Sequence, residues 1–304
     1  RHYYTIRPSI AGGLAFSFIS QPSLSAAIRE LEDEVGIEIF RRTNRGIQVT
    51  PDGEEFVGYA RQVVEQYALI EARYVDKEKV KKKFGVSMQH YSFAVQAFVE
   101  MVRHFGMERY EFSIYETQTY DVIENVKNFR SELGILYLND FNRKVLGKIF
   151  EENNLEFHEL FDCQEYVYLW SGHPLAKKKE ITLEDLEDYP FLSFDQGSNN
   201  SFYFAEEVFS TYEYKQSIKA NDRATMLNLM KGLNGYTLCS GIICENLNGS
   251  EYCAVKLSTE ETMTIGYLKR KGIPLSSIGK EYLKEISKYN VTIQHTIIPR
   301  GVLA

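Results

Sequence analysis

Ile19-Ser20-Gln21-Pro22-Ser23-Leu24-Ser25-Ala26-Ala27-Ile28-Arg29-Glu30-Leu31-Glu32 is the stretch on which the reading of this chain turns. Ser20 is a good helix N-cap, its side-chain oxygen able to take one of the free amide donors of the first turn. Pro22 falls in that turn, where its missing N–H costs nothing and its fixed φ suits a helix. Leu24, Ala27, Ile28 and Leu31 recur at helical spacing and are expected to bury one face. The opposite face carries Gln21, Ser23, Ser25, Ala26 and Arg29, short or polar and close to the N-terminal end. Such a face fits a major groove and offers hydrogen bonds to base edges. An ordinary amphipathic surface helix is the alternative at this point.

The residues that follow narrow the choice. Gly36 ends the helix, and Ile37 to Gly53 reads as two short strands around a turn at Asn44-Arg45-Gly46, with Arg41, Arg42 and Arg45 beside it. A basic hairpin next to a polar-faced helix is a wing, its arginines available to phosphates or the minor groove. Ser-Gln-Pro-Ser-Leu-Ser, Ile-Arg-Glu-Leu-Glu, Phe-Arg-Arg and Thr-Pro-Asp-Gly-Glu-Glu-Phe, in this order and spacing, resemble the winged helix-turn-helix of the LysR-type transcriptional regulators. The resemblance extends from Ile19 to about Lys288. It implies an α+β winged helix-turn-helix over 1–50, a long linker helix over 51–76, and an α/β two-lobed, periplasmic-binding-protein-like effector domain over 84–290. Double-stranded DNA and a small-molecule effector are then the expected partners. The family places two helices before the Ser-Gln-Pro motif. Here Pro8 and the Gly12-Gly13 pair disfavour a continuous helix, so the first helices are expected to be atypical or truncated.

The chain has 304 residues, enough for two or three domains, and its 44% hydrophobic and 25% charged content is ordinary for a globular protein. No apolar run approaches the roughly 20 residues of a membrane span. Arg1 to Ile19 lacks signal-peptide order, so a cytoplasmic location is expected. A net charge of −7 is unusual for a DNA binder. It is unevenly spread, however: the first fifty residues are near neutral with the wing arginines grouped, and phosphate responds to the local patch.

Phe56, Ala60, Val63, Tyr67, Ile70 and Tyr74 are spaced alternately four and three apart, the seam of a coiled coil. The linker helix is therefore expected to pair subunits into a homodimer, or a homotetramer, matching a two-fold operator; a core helix of one domain is the alternative. Asp76 to Lys83 reads as a charged, exposed hinge. From Phe84 strands and helices alternate: strand Lys83–Met88, helix Ser92–Phe105, strand Tyr110–Tyr115, helix Thr119–Asn128, strand Leu133–Leu138. That order predicts a parallel sheet with helices on both sides. A second unit follows from Glu165, including an expected helix from Phe202 to Tyr212 and another from Asp222 to Lys231. Met263 to Lys269 and a helix at Ser276–Lys288 are expected to return to the first unit. The lobes are thus about 84–161 with 262–290, and 162–261; the tail 291–304 carries no usable pattern.

In open α/β sheets ligands sit beyond the carboxyl ends of strands, where free helix amides favour anions. This places Gln89, His90, Ser92, Asn139, Gln196, Ser198 and Asn221 as candidate effector contacts, each of which has helix capping or a turn as its plain alternative. The family's effectors are commonly small organic acids or aromatics. The chain has no nucleophile elbow, phosphate loop or His-Glu-x-x-His motif, and its six histidines and four cysteines show no metal spacing. Neither an enzyme nor a cofactor or metal is expected. Reduced thiols are the reading for the cysteines, with a redox pair Cys239/Cys244 as the alternative. The function expected is a bacterial ligand-responsive DNA-binding regulator; a solute-binding-protein-like sensor without competent DNA binding is the second reading.

Overall fold

Strands, not helices, precede the Ser-Gln-Pro motif in the computed structural model of the chain, which describes residues 3–7, 15–19, 21–43, 46–74, 81–106 and 109–292. β1 (Tyr3–Arg7) and β2 (Ala15–Ile19) pair antiparallel from Tyr3↔Ile19 to Arg7↔Ala15. Tyr3, Tyr4, Ile6, Phe16, Phe18 and Ile19 are β-formers, and their preference prevails here. The expected hinge residues 76–80 and the tail beyond 292 lie outside the described residues.

The chain divides into two units, Arg1–Lys82 and Lys83–Ala304. In the first, α1 (Gln21–Val35) ends at Gly36, whose φ of +72° is the left-handed conformation that glycine tolerates best. The expected apolar face of α1 is only partly covered, with Leu24 and Ile28 half-buried and Ala27 and Leu31 exposed. Glu32 near its end accepts the N–H groups of Ile39 and Phe40 at 2.7 and 2.9 Å. That carboxylate fixes the helix to β3 (Phe40–Thr43), which pairs with β4 (Gly46–Val49) as the expected wing. Thr50 caps α2 (Pro51–Tyr74): its hydroxyl accepts from the Gly53 N–H at 2.9 Å, while its own N–H binds the Ile39 carbonyl at 3.0 Å. A Cβ on Gly53 would stand 2.2 Å from that same carbonyl oxygen, so glycine alone fits there. The Thr-Pro-Asp-Gly run is thus the joint at which helix and wing close on each other.

The second unit begins with β5 (Lys82–Met88), α3 (Ser92–Arg103), β6 (Tyr110–Glu116), α4 (Thr119–Lys127), β7 (Leu133–Leu138), α5 (Arg143–Glu152) and β8 (Leu155–Gln164). The chain crosses at Glu165 into β9 (Tyr166–Trp170), β10 (Glu180–Ile181), β11 (Phe191–Phe194), β12 (Ser217–Ala220), α6 (Arg223–Leu233), β13 (Thr237–Cys239), α7 (Glu245–Asn248) and β14 (Tyr252–Leu257). It returns through β15 (Thr262–Arg270), α8 (Ser277–Ser287) and α9 (Tyr289–Thr292).

The first lobe's sheet has the order β6-β5-β7-β15-β8, with β5 and β7 parallel and β15 antiparallel to both neighbours. The parallel pairing expected of the first strands is present between β5 and β7, and the later β8 and β15 add antiparallel pairs to it. The outgoing strand β8 and the returning strand β15 lie side by side, so they must run in opposite directions. The second lobe has the order β10-β14-β9-β13, and the parallel pair β11-β12 joins it through the Leu192 N–H on the Tyr236 carbonyl at 2.7 Å.

The expected helix Phe202–Tyr212 is also corrected, since only a 3-10 turn forms at Phe202–Phe204. Glu206, Glu207 and Val208 are all buried, and Phe209 has a φ of +55°, a left-handed conformation that an α-helix does not contain. The stretch 139–164 supplies α5 and β8; Leu146 and Phe150 of α5 are buried, and Ile149 packs beside them at helical spacing.

A continuous apolar core runs from Val86, Met88, Phe93 and Ile135 through Phe161 and Met263 to Val167 and Leu169. A second cluster beneath α4 and α5 joins Val122, Ile123 and Val126 to Leu136 and Leu146. Ile135 is 0% exposed. Ile135→Ala is expected to lower unfolding stability by about 2–5 kcal/mol in urea titrations of the whole chain; a loss below about 1 kcal/mol would show that the site collapses around the smaller side chain.

Candidate functional site

The end of β5 delivers Gln89-His90-Tyr91 to the N-terminus of α3, where the second lobe faces it. Between them lies a cavity enclosing about 700 Å³, part of it open to solvent. The first lobe lines it with His90, Tyr91, Ser92, Phe93 and Met263. The second lobe contributes Phe194 from β11, Arg223, Met226 and Met230 from α6, Thr237 to Cys239 from β13, and the following Ser240 and Ile242. α6 is aimed at this place by its cap: Asp222 accepts the Thr225 N–H at 2.8 Å and the Thr225 hydroxyl at 2.6 Å, which hold its carboxyl below its ordinary value.

Several polar contacts join the two lobes across the mouth. Oε2 of Glu206 accepts the His90 backbone N–H at 2.9 Å and the His90 Nδ1–H at 2.8 Å. Its Oε1 accepts from the Gln196 amide at 2.9 Å, and Gln196 Oε1 takes the Thr119 N–H at 3.0 Å. The Tyr137 hydroxyl donates to the Ala205 carbonyl at 3.1 Å. His90 also stacks on Phe194, with ring centroids 3.7 Å apart and planes 3° from parallel. Arg223 pairs with Glu116 at the end of β6. Burial, and then the charge of Glu206, raise the Glu207 carboxyl well above its ordinary value, and its Oε1 takes the Phe194 N–H at 2.9 Å.

Of the seven candidate effector contacts, His90 and Ser92 line the cavity. Gln89 is spent holding the frame: its amide donates to Thr119 at 2.6 Å and its carbonyl accepts the Tyr91 hydroxyl at 2.7 Å. Gln196 bridges Thr119 and Glu206 as described. Asn139 is tied in a reciprocal turn with Asn142, at 2.9 and 3.0 Å. Ser198 and Asn221 are exposed and away from the lining. The sequence reading missed Arg223, Thr237, Glu206 and Glu207. Only the Asp222 cap could have pointed to Arg223, one residue further along.

Of the candidate DNA contacts, Pro22, Ser23 and Arg29 are exposed on α1 and Ser25 is half-buried. Gln21 lies in α1 and Arg42 in β3 by their backbones; Ser20 and Arg45 lie outside the described residues. Arg41 is exposed and forms a 2.6 Å pair with Glu38. Along α2, Phe56, Ala60 and Tyr67 are half-buried, Val63 is 68% and Ile70 57% exposed, and Tyr74 is placed by its backbone alone. Tyr59, Val64 and Leu69 add to this exposed apolar surface. The histidines are not all isolated: His104 lies 3.1 Å from Glu281 and 4.0 Å from Glu285, whose carboxylates also pair with Lys284 and Lys288.

A winged reader and a two-lobed α/β domain with a cavity at its waist define a ligand-responsive DNA-binding regulator. The chain belongs to the LysR family: residues 91–283 match the LysR substrate binding domain, and residues 17–54 match the bacterial regulatory helix-turn-helix protein, lysR family. It is a LysR-type transcriptional regulator with a helix-turn-helix DNA-binding region and an effector-binding domain. The DNA-binding transcriptional dual regulator OxyR of Escherichia coli K12 is 23% identical over 268 residues, covering 85% of this chain and 83% of that one. A full-length OxyR from Pseudomonas aeruginosa, solved as a cysteine-to-aspartate variant, shares the fold with a TM-score of 0.60 at 20% identity, covering 88% of this chain and 86% of that one. A cysteine-to-serine mutant of Corynebacterium glutamicum OxyR, H2O2-bound, gives 0.51 at 19% identity, covering 93% and 91%.

Glu165, at the crossing between lobes, is 0% exposed and neither carboxyl oxygen has a hydrogen-bond partner. Burial first, then Glu261, raises it well above its ordinary 4.5. The folded chain therefore holds a proton that the unfolded chain releases near that value. Its stabilising contribution is complete below the unfolded value and declines as pH rises toward the folded one. Glu165→Gln is expected to gain melting temperature relative to the parent between about pH 5 and about pH 8. A difference that is flat or shrinks with pH would contradict a neutral Glu165.

Proposed function

We propose that a small molecule binds in the cavity between the lobes and alters how a dimer presents its two DNA readers in the cytoplasm. The observation carrying this reading is that one cavity is walled by both lobes, so a ligand there bears on their relative angle. Gln21, Ser23, Ser25 and Arg29, behind the Ser20-Gln21-Pro22 entry, meet base edges or nearby phosphates; Arg41, Arg42 and Arg45 hold the backbone. His90 and Ser92 contact the effector, while Gln89, Asn139 and Gln196 hold the cavity's frame.

Thiol oxidation is a poorer reading, although one matched structure is an OxyR with hydrogen peroxide bound. A reactive cysteine is a thiolate in an electropositive setting. Here burial pushes Cys239 up to about 12 and raises Cys163, Cys244 and Cys253 above their ordinary value. All four are free, Cys239 and Cys244 included.

Anisotropy on the chain's own upstream DNA and on random DNA, over a salt series, tests the reader. Arg42→Ala should weaken binding to both alike and flatten the salt slope by roughly one unit. Ser23→Ala should relax preference at one base pair. Equal, weak binding of the parent to both DNAs would favour a sensor without a competent reader, a reading that the β1–β2 ribbon at the place of two helices supports. On α2, Val63→Glu with Ile70→Glu is expected to convert the dimer to monomer in sedimentation velocity, with α2 still helical by circular dichroism; an unchanged sedimentation coefficient would remove α2 from the interface.

A further inference from the structure

At the opposite end of α3 from the cavity, an imidazole and two carboxylates converge. His104 closes the helix, its N–H tightening the last turn on the carbonyls of Met101 and Val102. Glu281 and Glu285 stand one turn apart on α8 and so share a face. Tyr282 fixes that helix to α3: its ring packs against Phe84 and Phe98, and its hydroxyl donates to the Ala94 carbonyl at 3.1 Å. His104 Nδ1 thereby lies 3.1 Å from Oε1 of Glu281 and 4.0 Å from Oε1 of Glu285. The ligand atoms of all three residues fall within 4.8 Å of one another.

Glu285 makes this more than an ion pair. It is 3% exposed, its Oε2 is held by Lys288 at 2.5 Å, and its Oε1 has no hydrogen-bond partner. One imidazole N–H directed at Glu281 leaves that oxygen unserved, and a buried carboxylate oxygen without a partner is costly. A cation seated among the three serves both carboxylates and the imidazole at once. Donors at about 2.0–2.2 Å from a tetrahedral zinc ion stand roughly 3.4 Å from one another, close to the separations here. Such an ion needs no water-sized cavity: it takes the space between donors that already face one another, and the exposed His104 ring is its way in. The neighbours can give way. Lys284 pairs with Glu281 at 3.4 Å, but its side chain is mostly exposed and a surface pair of this kind is weak. Glu100, one turn before His104, is engaged by Gln96 and Arg103 and stays outside the set.

We propose that His104, Glu281 and Glu285 bind a divalent ion of the zinc class, with water in the fourth position, and that the ion clamps the end of α3 to α8. One imidazole with two carboxylates suits Zn2+, Co2+ and Ni2+ above Mg2+ and Ca2+, which favour oxygen alone. The site does not depend on what the cavity binds.

The test uses the full chain after chelator treatment and exchange into metal-free buffer. It is titrated with ZnCl2, CoCl2 and MgCl2 by calorimetry and in competition with a chromogenic indicator. Zn2+ is expected to bind at micromolar concentration and to raise the melting temperature, with Mg2+ at least about a hundredfold weaker. Co2+ should bring visible d–d absorption without the near-ultraviolet thiolate band of a cysteine-held ion. His104→Ala and Glu281→Gln, neither at a buried position, should each weaken Zn2+ by about tenfold or more and remove its effect on melting. Circular dichroism of both metal-free variants should match the parent. Glu285→Gln, which keeps the shape of the buried side chain, should lose Zn2+ likewise. Zn2+ binding that survives His104→Ala and Glu281→Gln is an adventitious ion only and overturns the proposal. So do a thiolate band with Co2+, Mg2+ binding as tightly as Zn2+, and no Zn2+ binding below millimolar concentration.

Discussion

Glu206 is the group on which the effector domain's present arrangement depends. Its two oxygens hold a backbone N–H and a ring N–H of His90 in one lobe and the Gln196 amide in the other, and Gln196 passes the connection on to Thr119. A buried charge is tolerated when every lone pair finds a donor, and breaking such a network costs more than forming it gains. The segment that carries Glu206 is bent rather than helical for this reason. Three consecutive side chains turn inward, and the tertiary demand for Glu206 and Glu207 at the mouth outweighs local helical preference. Glu207, whose carboxyl burial raises above its ordinary value, completes the wall beside it.

Much of the architecture was legible because it is periodic. The run Leu133–Leu138 is buried at every position and reads as a central strand from its composition alone. The helices at Ser92 and Ser276 show their apolar faces clearly, and Ser276 does cap α8, accepting the Gly279 N–H at 2.9 Å. What escaped lacks a local period. β14 alternates weakly, and β1 and β2 stand where the family has helices. The antiparallel entry of β15 is a property of chain topology, and no window of residues encodes it.

The site was legible in outline only. Reading strand ends and helix starts located the right region, because the end of β5 and the start of α3 form one wall. It could not tell a contact from a brace. Gln89, Gln196 and Asn139 have the donors a ligand would want, but those donors close the protein's own turns and seams. Conversely, Thr237 opens β13 between Tyr236 and Leu238, where sequence gives a threonine no distinction. Its unpaired hydroxyl emerges only when β13 is set against α6 and the start of α3.

The two strands at the waist carry a consequence for how the domain is assembled. β8 leaves the first lobe at Gln164 and β15 re-enters it at Thr262, and these residues are direct cross-strand partners. The second lobe is therefore an insertion whose two ends meet, as an excursion looped out of a sheet already complete without it. Joining Gln164 to Thr262 by a tight turn would leave the order β6-β5-β7-β15-β8 intact. Insertions between adjacent strand ends are what a host fold tolerates best. The host lobe and its inserted companion can thus diverge at different rates, the former held by its sheet and the latter free to reshape the wall that meets the ligand.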